Sequence, residues 1–335
     1  MKEFGGYIEF EYFHGNEYHD KAIKLNCGRN CLAYLIEAYD IKKIYLPYFL
    51  CSSVTEVCKK YTIQIEYYNI THNFVPVLPK ELDNNSWLYL VNFYGQLNED
   101  LIRKIKEKTD KIILDNAQAF FIKPIDDIPT IYTCRKFFGV ADGAYLYSNK
   151  NISKTLEQDF SYNRMNFLLG RFEKSANEFY FEYSANNKFF MNEPIKQMSK
   201  ITKNIMKGID YDYVINKRNQ NFSYLSEKLS SINKLNIKFS VGPFAYPLYL
   251  ENGSEIRKKL QEKKVYIPTL WPDVFDLCNE TMLEYQYAKN ILPIPVDQRY
   301  GIEDMKYIVQ ENLLIWEKLY YLVRQGLLGH ILPFI

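Results

Sequence analysis

The chain has 335 residues, and its 42 basic and 40 acidic side chains give a formal net charge of +2. Hydrophobic residues make up 47% and charged residues 24%, values that are typical of a globular protein and exclude a disordered chain. Because the charges are nearly balanced and form no long block of one sign, the sequence argues against binding to nucleic acid or anionic lipid. The length predicts more than one domain.

The cysteines and histidines predict neither a disulfide framework nor a metal site. The 6 cysteines include no Cys-x-x-Cys pair, and the 4 histidines are scattered along the chain. Free thiols indicate a reducing compartment. The N-terminus lacks the apolar run of a signal peptide, and no stretch approaches the ~20 apolar residues of a membrane span. We therefore expect a soluble, cytoplasmic protein without a membrane segment.

Helical and strand patterns alternate along the first half of the chain. The predicted helices cover residues 26–39, 52–60 and 98–109. The predicted strands cover residues 43–47, 62–68, 86–91, 111–115, 130–133 and 144–148. This alternation predicts an α/β fold with a mostly parallel sheet, in which ligands gather at the carboxyl ends of the strands.

The second half of the chain predicts mainly helices, followed by a mixture of short elements. Helices are expected over residues 151–187, 194–208, 211–230, 254–263 and 303–320. Strands are expected over residues 235–239, 244–250, 265–268 and 291–296. These patterns predict a large domain over residues 1–209 and a smaller C-terminal α+β domain over residues 210–335.

Three segments carry groups that one cofactor, pyridoxal 5′-phosphate (PLP), would require. Lys136 follows a predicted strand and offers an amine, Asp115 ends a predicted strand and offers a carboxylate, and Gly28–Asn30 opens a helix whose N–H groups suit a phosphate. Each segment also has a plainer interpretation. Lys136 could be a surface lysine beside core phenylalanines, and Asn30 could simply cap its helix.

In these segments the sequence resembles the sugar aminotransferases of the DegT/StrS type. These enzymes have the aspartate aminotransferase fold, known as PLP-dependent transferase fold type I. The resemblance extends over about residues 20–310. It rests on Gly28-Arg29-Asn30-Cys31-Leu32, Leu46-Pro47 with Cys51-Ser52-Ser53, Asp115-Asn116-Ala117-Gln118-Ala119, Lys136 with Gly143, and Arg218. It implies a large domain with a sheet of the seven-stranded type and a smaller C-terminal domain.

The resemblance also implies a role for each candidate residue. Lys136 would form the Schiff base with PLP and move the proton during transamination. Asp115 would hold the pyridinium nitrogen, and Gln118 would bond near the ring hydroxyl or the reacting imine. The remaining cofactor-binding candidates are Gly28, Arg29 and Asn30 at the phosphate, Thr133 as an added hydroxyl, and Tyr94.

The implied reaction transfers an amino group from glutamate, which leaves as 2-oxoglutarate, to a keto-sugar carried by a nucleotide, in surface-polysaccharide or related biosynthesis. The implied assembly is a homodimer with shared active sites. A sugar dehydratase or other lyase is an alternative, although the retained Lys136 argues against it. A nucleotide-sugar-binding protein of this fold without turnover is another. Arg299 and Trp271 are candidate substrate contacts, with a surface ion pair and core packing as their alternatives.

The sequence departs from the family pattern in several places. Cys51 stands near the usual ring-stacking aromatic residue, so that Phe49, Phe93 or Tyr94 would have to stack instead. Ala144 replaces the second glycine of a Gly-Gly turn. The Asn-Tyr-Arg segment that reaches the partner's phosphate site has no clean match, and Gln197-Met198-Ser199 stands roughly in its place.

Overall fold

The computed structural model describes residues 4–80 and 82–309. Its central feature is an 8-stranded sheet with the strand order β1-β8-β7-β6-β5-β2-β3-β4. The strands are β1 (Ile23–Leu25), β2 (Lys43–Pro47), β3 (Gln64–Ile70), β4 (Pro76–Val77), β5 (Trp87–Val91), β6 (Ile112–Asp115), β7 (Thr130–Thr133) and β8 (Ala144–Tyr147). A second, 2-stranded sheet pairs β9 (Ala245–Tyr249) with β10 (Ile291–Pro295).

The middle of the large sheet is parallel, because β3, β2, β5, β6 and β7 all run in the same direction. Strands β5 and β6 are buried along their whole length, as expected for parallel strands that are covered on both faces. Antiparallel strands complete the sheet, since β8 lies between β7 and β1 and β4 pairs with β3 at the other edge. The sheet is therefore mixed around the predicted parallel centre.

Helices alternate with the strands of the large sheet and make up most of the second half of the described chain. They are α1 (Gly28–Tyr39), α2 (Ser52–Lys60), α3 (Glu99–Lys106), α4 (Asn166–Glu173), α5 (Tyr180–Phe189), α6 (Lys200–Lys207), α7 (Tyr211–Leu229), α8 (Gly253–Glu262), α9 (Val274–Leu277), α10 (Leu283–Asn290) and α11 (Ile302–Ile308). Short 3₁₀ turns occupy Phe93–Gly95 and Tyr162–Arg164.

Several predicted elements are wrong, and non-local hydrogen bonds explain why. Residues 235–239 form no strand, because the N–H and C=O of Lys238 bond to the side chain of Gln96. Residues 194–199 are extended rather than helical, since Gln197 forms bridges to Leu25 and Gln158, and α6 begins only at Lys200.

Two further predictions also differ from the structure. Residues 265–268 form no strand, and the region from residue 151 becomes helical only from Tyr162. There Ile152 donates its backbone N–H to the hydroxyl of Tyr34 at 3.3 Å, which holds this stretch against α1. The predicted helix over residues 303–320 is present as α11, and its remainder lies outside the described residues.

The apolar core has distinct clusters that follow the chain. One cluster packs around the large sheet, and a second joins α7, α8 and α11 to β9 and β10. Helix α7 contributes to two clusters, because Val214 packs with the aromatic residues around Phe120 whereas Phe222 and Leu225 pack in the second cluster. The separate C-terminal cluster is compatible with a smaller domain, and the boundary at 209/210 stays a prediction.

Candidate active site

The carboxyl ends of three neighbouring strands bring several candidate residues to one edge of the sheet. In the parallel register Val91 of β5 lies beside Asp115 of β6, and Asp115 lies beside Ile131 of β7. Tyr94 follows β5 and Thr133 ends β7. This edge is where an open α/β sheet binds its ligands, so these side chains line the candidate site.

Asp115 is a buried carboxylate whose two oxygens are both fixed. Its Oδ2 accepts a hydrogen bond of 2.8 Å from the hydroxyl of Tyr89, and its Oδ1 accepts one of 2.8 Å from the backbone N–H of Ala117. Burial and the charge of Asp115 raise the pKa of Tyr89 well above its ordinary value, so Tyr89 remains a donor. The site therefore holds an oriented carboxylate with 8% of its surface exposed.

Gln118 and Tyr94 form a second fixed pair. The backbone N–H of Tyr94 donates to Gln118 Oε1 at 2.9 Å, and Tyr94 adopts a left-handed conformation with φ 53°. This bond fixes which end of the amide faces Tyr94. Within the described residues, Gln118 Nε2 and the Tyr94 hydroxyl are buried without a hydrogen-bond partner. Since buried donors are rarely left unpaired, these atoms indicate a ligand acceptor at this edge.

Two asparagines tie the turns after β5 and β6 together. Asn92 donates its side-chain amide to Asn116 Oδ1 at 3.0 Å, and Asn92 Oδ1 accepts from the backbone N–H of Leu97 at 2.9 Å. Both asparagines are fully buried. No separate role for Asn92, Asn116 or Tyr89 was predicted from the sequence, although Asn116 belongs to the motif around Asp115 and Tyr89 lies in a predicted strand.

The N-terminus of α1 is open. Gly28 is the first residue of the helix, its N-cap Cys27 makes no side-chain capping bond, and the first turn contains no acidic residue. A Cβ atom added at Gly28 would meet no atom within 4 Å. The first N–H groups of a helix lack intrahelical partners and carry the positive end of its dipole, so this space suits an anion.

The other two residues of this segment have different environments. Asn30 is buried inside the helix, and its side-chain amide donates to Asn26 Oδ1 at 2.9 Å and to the carbonyl of Pro194 at 2.7 Å. It therefore does not cap the helix. The Nη1 of Arg29 donates to the backbone carbonyl of Asn187 at 3.1 Å, and its buried Nε has no partner within the described residues.

A second arginine, Arg135, converges on the same asparagine. Its Nη2 donates to Asn187 Oδ1, and its guanidinium lies 5.1 Å from the centre of the Phe190 ring. Burial lowers the pKa of Arg135, and the neighbouring charge of Arg29 adds to this effect. Neither arginine forms an ion pair with an acidic residue in the described part of the chain. Arg135 was not among the residues predicted from the sequence, although it directly precedes Lys136.

Lys136 lies in a tight turn after β7. The backbone N–H of Phe137 donates to the carbonyl of Cys134 at 3.0 Å, which closes a β-turn with Arg135 and Lys136 at its centre. The side chain of Lys136 is exposed, and its Nζ lies 5.7 Å from the centre of the Phe244 ring. Thr133 is half-buried at the end of β7.

The aromatic candidates for ring stacking pack mainly against one another. Phe49, Phe93 and Tyr94 are each buried, and the rings of Phe49 and Phe93 are 5.3 Å apart. Trp271 joins this cluster at 4.5 Å from Phe49, in an edge-on arrangement that corresponds to the core-packing alternative. Arg299 forms a bidentate ion pair with Asp297, with contacts of 2.6 and 2.9 Å. The substrate roles of Trp271 and Arg299 stay predictions.

Within residues 4–80 and 82–309, no group of three or more His, Cys, Asp or Glu side chains is arranged to hold a metal ion. Over the same ranges, none of the helices combines the length and hydropathy of a membrane span.

Comparisons with known proteins identify the fold. No protein-family model matches the chain, and no curated protein sequence matches it significantly. A DegT DnrJ EryC1 StrS aminotransferase from Brucella abortus aligns with 89% of this chain and 90% of its own, with a TM-score of 0.60 and 13% identity. The chain has the DegT/StrS aminotransferase fold. The predicted fold is therefore confirmed.

Two further structures share the DegT/StrS aminotransferase fold with this chain. NtdA from Bacillus subtilis, solved with bound cofactor PMP, aligns with 86% of this chain and 72% of its own, with a TM-score of 0.59 and 11% identity. DesI, solved in the presence of its TDP-sugar product, aligns with 86% of this chain and 79% of its own, with a TM-score of 0.61 and 10% identity.

Proposed function

We propose that this protein is a PLP-dependent aminotransferase that transfers an amino group from glutamate to a keto-sugar carried by a nucleotide. The observation that carries the proposal is the pair of fixed groups at the sheet edge. Asp115 offers an oriented, buried carboxylate, and Gln118 offers a buried amide donor that has no partner among the described residues. The bound cofactor PMP of NtdA and the TDP-sugar product in whose presence DesI was solved support the same assignment.

The polar groups of this chain can be assigned to each part of PLP. Asp115 would hold the protonated pyridine nitrogen, because an ionised carboxylate favours the charged ring. Gln118 Nε2 would donate to the ring oxygen, which satisfies an otherwise unpaired buried atom. The open N-terminus of α1, with Gly28, Arg29 and Arg135, would hold the phosphate, while Asn30 would contribute only its backbone N–H, which also donates to the carbonyl of Cys27 at 3.1 Å. Thr133 and Tyr94 are the remaining hydroxyls that we assign to the cofactor.

When bound, PLP supplies an electron sink for negative charge at the carbon that carries the amino group. Lys136 would move the proton at the substrate Cα, because its amine stands in a turn beyond the strand next to Asp115. Its exposed side chain can reach a substrate without displacing core residues. The hydrogen-bonded turn around Lys136 limits the freedom of the backbone that carries it, which favours one reactive geometry.

We further propose that the protein acts as a homodimer in the cytoplasm, in surface-polysaccharide or related biosynthesis. Helices α4 and α5 expose large apolar side chains, among them Phe172 at 93% and Phe181 at 81% exposure. Exposed apolar surface of this kind is typical of a protein–protein interface. The cysteines are all free, which supports a reducing compartment. The oligomeric state can be measured by analytical ultracentrifugation.

The proposed activity is tested first by absorption spectroscopy. Purified protein incubated with PLP is expected to absorb visible light, and borohydride reduction followed by peptide mass mapping is expected to place the pyridoxyl group on Lys136. Lys136→Ala is expected to lose both signals, whereas Lys123→Ala serves as a matched lysine control. Glutamate and nucleotide-linked keto-sugars should then yield 2-oxoglutarate and an amino-sugar. A Lys136→Ala protein that keeps its colour and turnover would falsify the proposal.

A further inference from the structure

A fully buried arginine, Arg218, lies near the middle of α7 with 1% of its surface exposed. Burial lowers its pKa to about 10, so it remains charged at neutral pH. In the described part of the chain no carboxylate forms an ion pair with it, and Asp297 acts on it only from a distance. Burying a guanidinium without a direct counter-charge is costly, and an apolar side chain could fill similar space. The directed hydrogen bonds of Arg218 therefore need an explanation.

Those hydrogen bonds reach three separate segments, namely the turn after β7, the loop before β9 and the loop after β10. The Nη2 of Arg218 donates to the carbonyl of Phe137 at 3.2 Å, and its Nη1 donates to the carbonyl of Pro243 at 2.9 Å. Its Nε donates to Gln298 Oε1 at 3.0 Å, and Gln298 Nε2 donates in turn to the carbonyl of Phe137 at 2.9 Å. The guanidinium also lies 4.6 Å from the centre of the Phe137 ring.

The two backbone carbonyls that Arg218 binds belong to residues adjacent to Lys136 and Phe244, which contact each other. Phe137 directly follows Lys136, and Pro243 directly precedes Phe244, whose ring centre lies 5.7 Å from Lys136 Nζ. Arg218 thus holds the turn that carries the lysine and the loop that carries the ring beside it. A shift of either loop would move Lys136 Nζ relative to the site, and positioning errors of about 1 Å can cost roughly a hundredfold in rate.

We propose that Arg218 and Gln298 are positioning residues that fix Lys136 Nζ over Phe244 and so orient the reactive amine. The assignment of a reaction to Lys136 rests on the proposed function, but the positioning itself does not require a bound cofactor. Arg218 and Gln298 supply directed donors from α7 and from the loop after β10, so the C-terminal half of the chain sets the geometry of the lysine.

A matched arginine separates positioning from general stabilisation. Arg257 of α8 is also buried and also donates to two backbone carbonyls, of Lys289 at 3.0 Å and of Ile291 at 2.7 Å. It makes no hydrogen bond to the turn that carries Lys136. Arg257→Gln therefore removes a comparable set of bonds without releasing the lysine.

The first measurement is trace acetylation of the full chain by acetic anhydride, with each lysine mapped by mass spectrometry. In Arg218→Gln, acetylation of Lys136 relative to the other lysines is expected to rise about threefold, because the amine loses its contact with Phe244. Arg218→Lys, which can still donate to one carbonyl, is expected to give a smaller rise. Gln298→Ala provides an independent variant at a half-buried position, and Arg257→Gln is expected to leave the ratio unchanged.

The second measurement traps limiting PLP on the full chain with borohydride. Wild-type protein is expected to be modified mainly at Lys136, and Arg218→Gln is expected to lose about tenfold of this selectivity. If acetylation is unchanged in Arg218→Gln and Gln298→Ala, or rises equally in Arg257→Gln, the positioning role is wrong. If acetylation responds as expected but wild-type protein shows no preference for Lys136 with PLP, the positioning role stands and the proposed function fails.

Discussion

The hydroxyl of Tyr89 donates a hydrogen bond of 2.8 Å to Oδ2 of Asp115, inside the sheet and at the end of the strand that carries the carboxylate. Asp115→Asn removes the charge that would stabilise a protonated pyridine nitrogen, so we expect kcat/KM to fall roughly a hundredfold or more. Tyr89→Phe removes one hydrogen bond to that charge and should cost about tenfold. Steady-state kinetics measures both effects.

A control for Tyr89→Phe is Tyr287→Phe. Tyr287 is also buried, and its hydroxyl donates to the backbone carbonyl of His72 at 3.0 Å rather than to a carboxylate. We expect this variant to change stability by a similar amount while kcat/KM stays near the wild-type value. An equal loss of kcat/KM in both tyrosine variants would contradict a specific role for the Tyr89–Asp115 bond.

Two substitutions of Gln118 distinguish the acceptor role of its Oε1 from the proposed donor role of its Nε2. Gln118→Glu keeps an oxygen for the backbone N–H of Tyr94 but replaces the unpaired Nε2 donor with a second oxygen. We expect PLP affinity to fall about tenfold or more, because a donor to the ring oxygen becomes a repelling acceptor. Gln118→Leu should reduce both affinity and thermal stability. Absorbance titration with PLP and thermal unfolding distinguish the two variants.

The arginine pair at Asn187 predicts selective recognition of phosphate. Arg29→Gln and Arg135→Gln should each weaken PLP binding roughly tenfold, since charge-assisted bonds to phosphate are lost. Binding of pyridoxal, which lacks the phosphate, should be little changed. Arg171→Gln, on the exposed surface of α4, is the control. Equal weakening of PLP and pyridoxal in the two variants would show that the arginines act only through the fold.

Replacing Gly28 by alanine is predicted to change the affinity for PLP without a loss of stability. A Cβ at this position meets no atom within 4 Å, so Gly28→Ala should leave the free energy of unfolding unchanged or raise it by about 0.5–1 kcal/mol. The methyl group would, however, stand in the space before the N-terminus of α1, and PLP affinity should fall. Gly301→Ala, at the start of α11, is the control, and calorimetry with absorbance titration measures both quantities.

Local patterns were sufficient to predict much of the sheet and part of the site. The strands at Lys43–Pro47 and Thr130–Thr133 coincide with the predicted ranges, because their apolar runs are bounded by polar or turn residues. The same reasoning placed Asp115 at a strand end. In contrast, residues 235–239 have a suitable pattern but no partner strand, since the side chain of Gln96 takes the backbone bonds of Lys238.

The parts of the site that the sequence did not reveal depend on contacts between distant segments. Arg135 meets Asn187 across 52 positions of the chain, and Arg218 meets Phe137 across 81. Neither pairing leaves a periodic or spaced signal near either residue. A buried arginine is also indistinguishable from a surface arginine in a local window, because the same residue type serves in both places.

The buried histidine predicts a specific dependence of stability on pH. His19 has 2% of its surface exposed, and burial lowers its pKa from 6.5 to about 4. Its Nε2 lies 2.8 Å from the carbonyl of Phe120, which can only accept, so Nε2 carries the proton and Nδ1 accepts from the Tyr147 hydroxyl at 3.2 Å. The unfolded chain therefore binds a proton that the folded chain excludes. The stability that His19 contributes is present above pH 6.5 and is lost as the pH falls towards 4.

Across this range the loss attributable to His19 should reach about 3 kcal/mol, because each unit of difference between the folded and unfolded pKa corresponds to about 1.4 kcal/mol. His19→Gln cannot titrate, so its free energy of unfolding should fall less steeply than that of wild-type protein between pH 6.5 and 4. Comparing urea unfolding of the two proteins at several pH values cancels the carboxylates that titrate in both. Parallel stability curves for the two proteins would mean that the pKa of His19 is the same in the folded and unfolded states, in conflict with its burial.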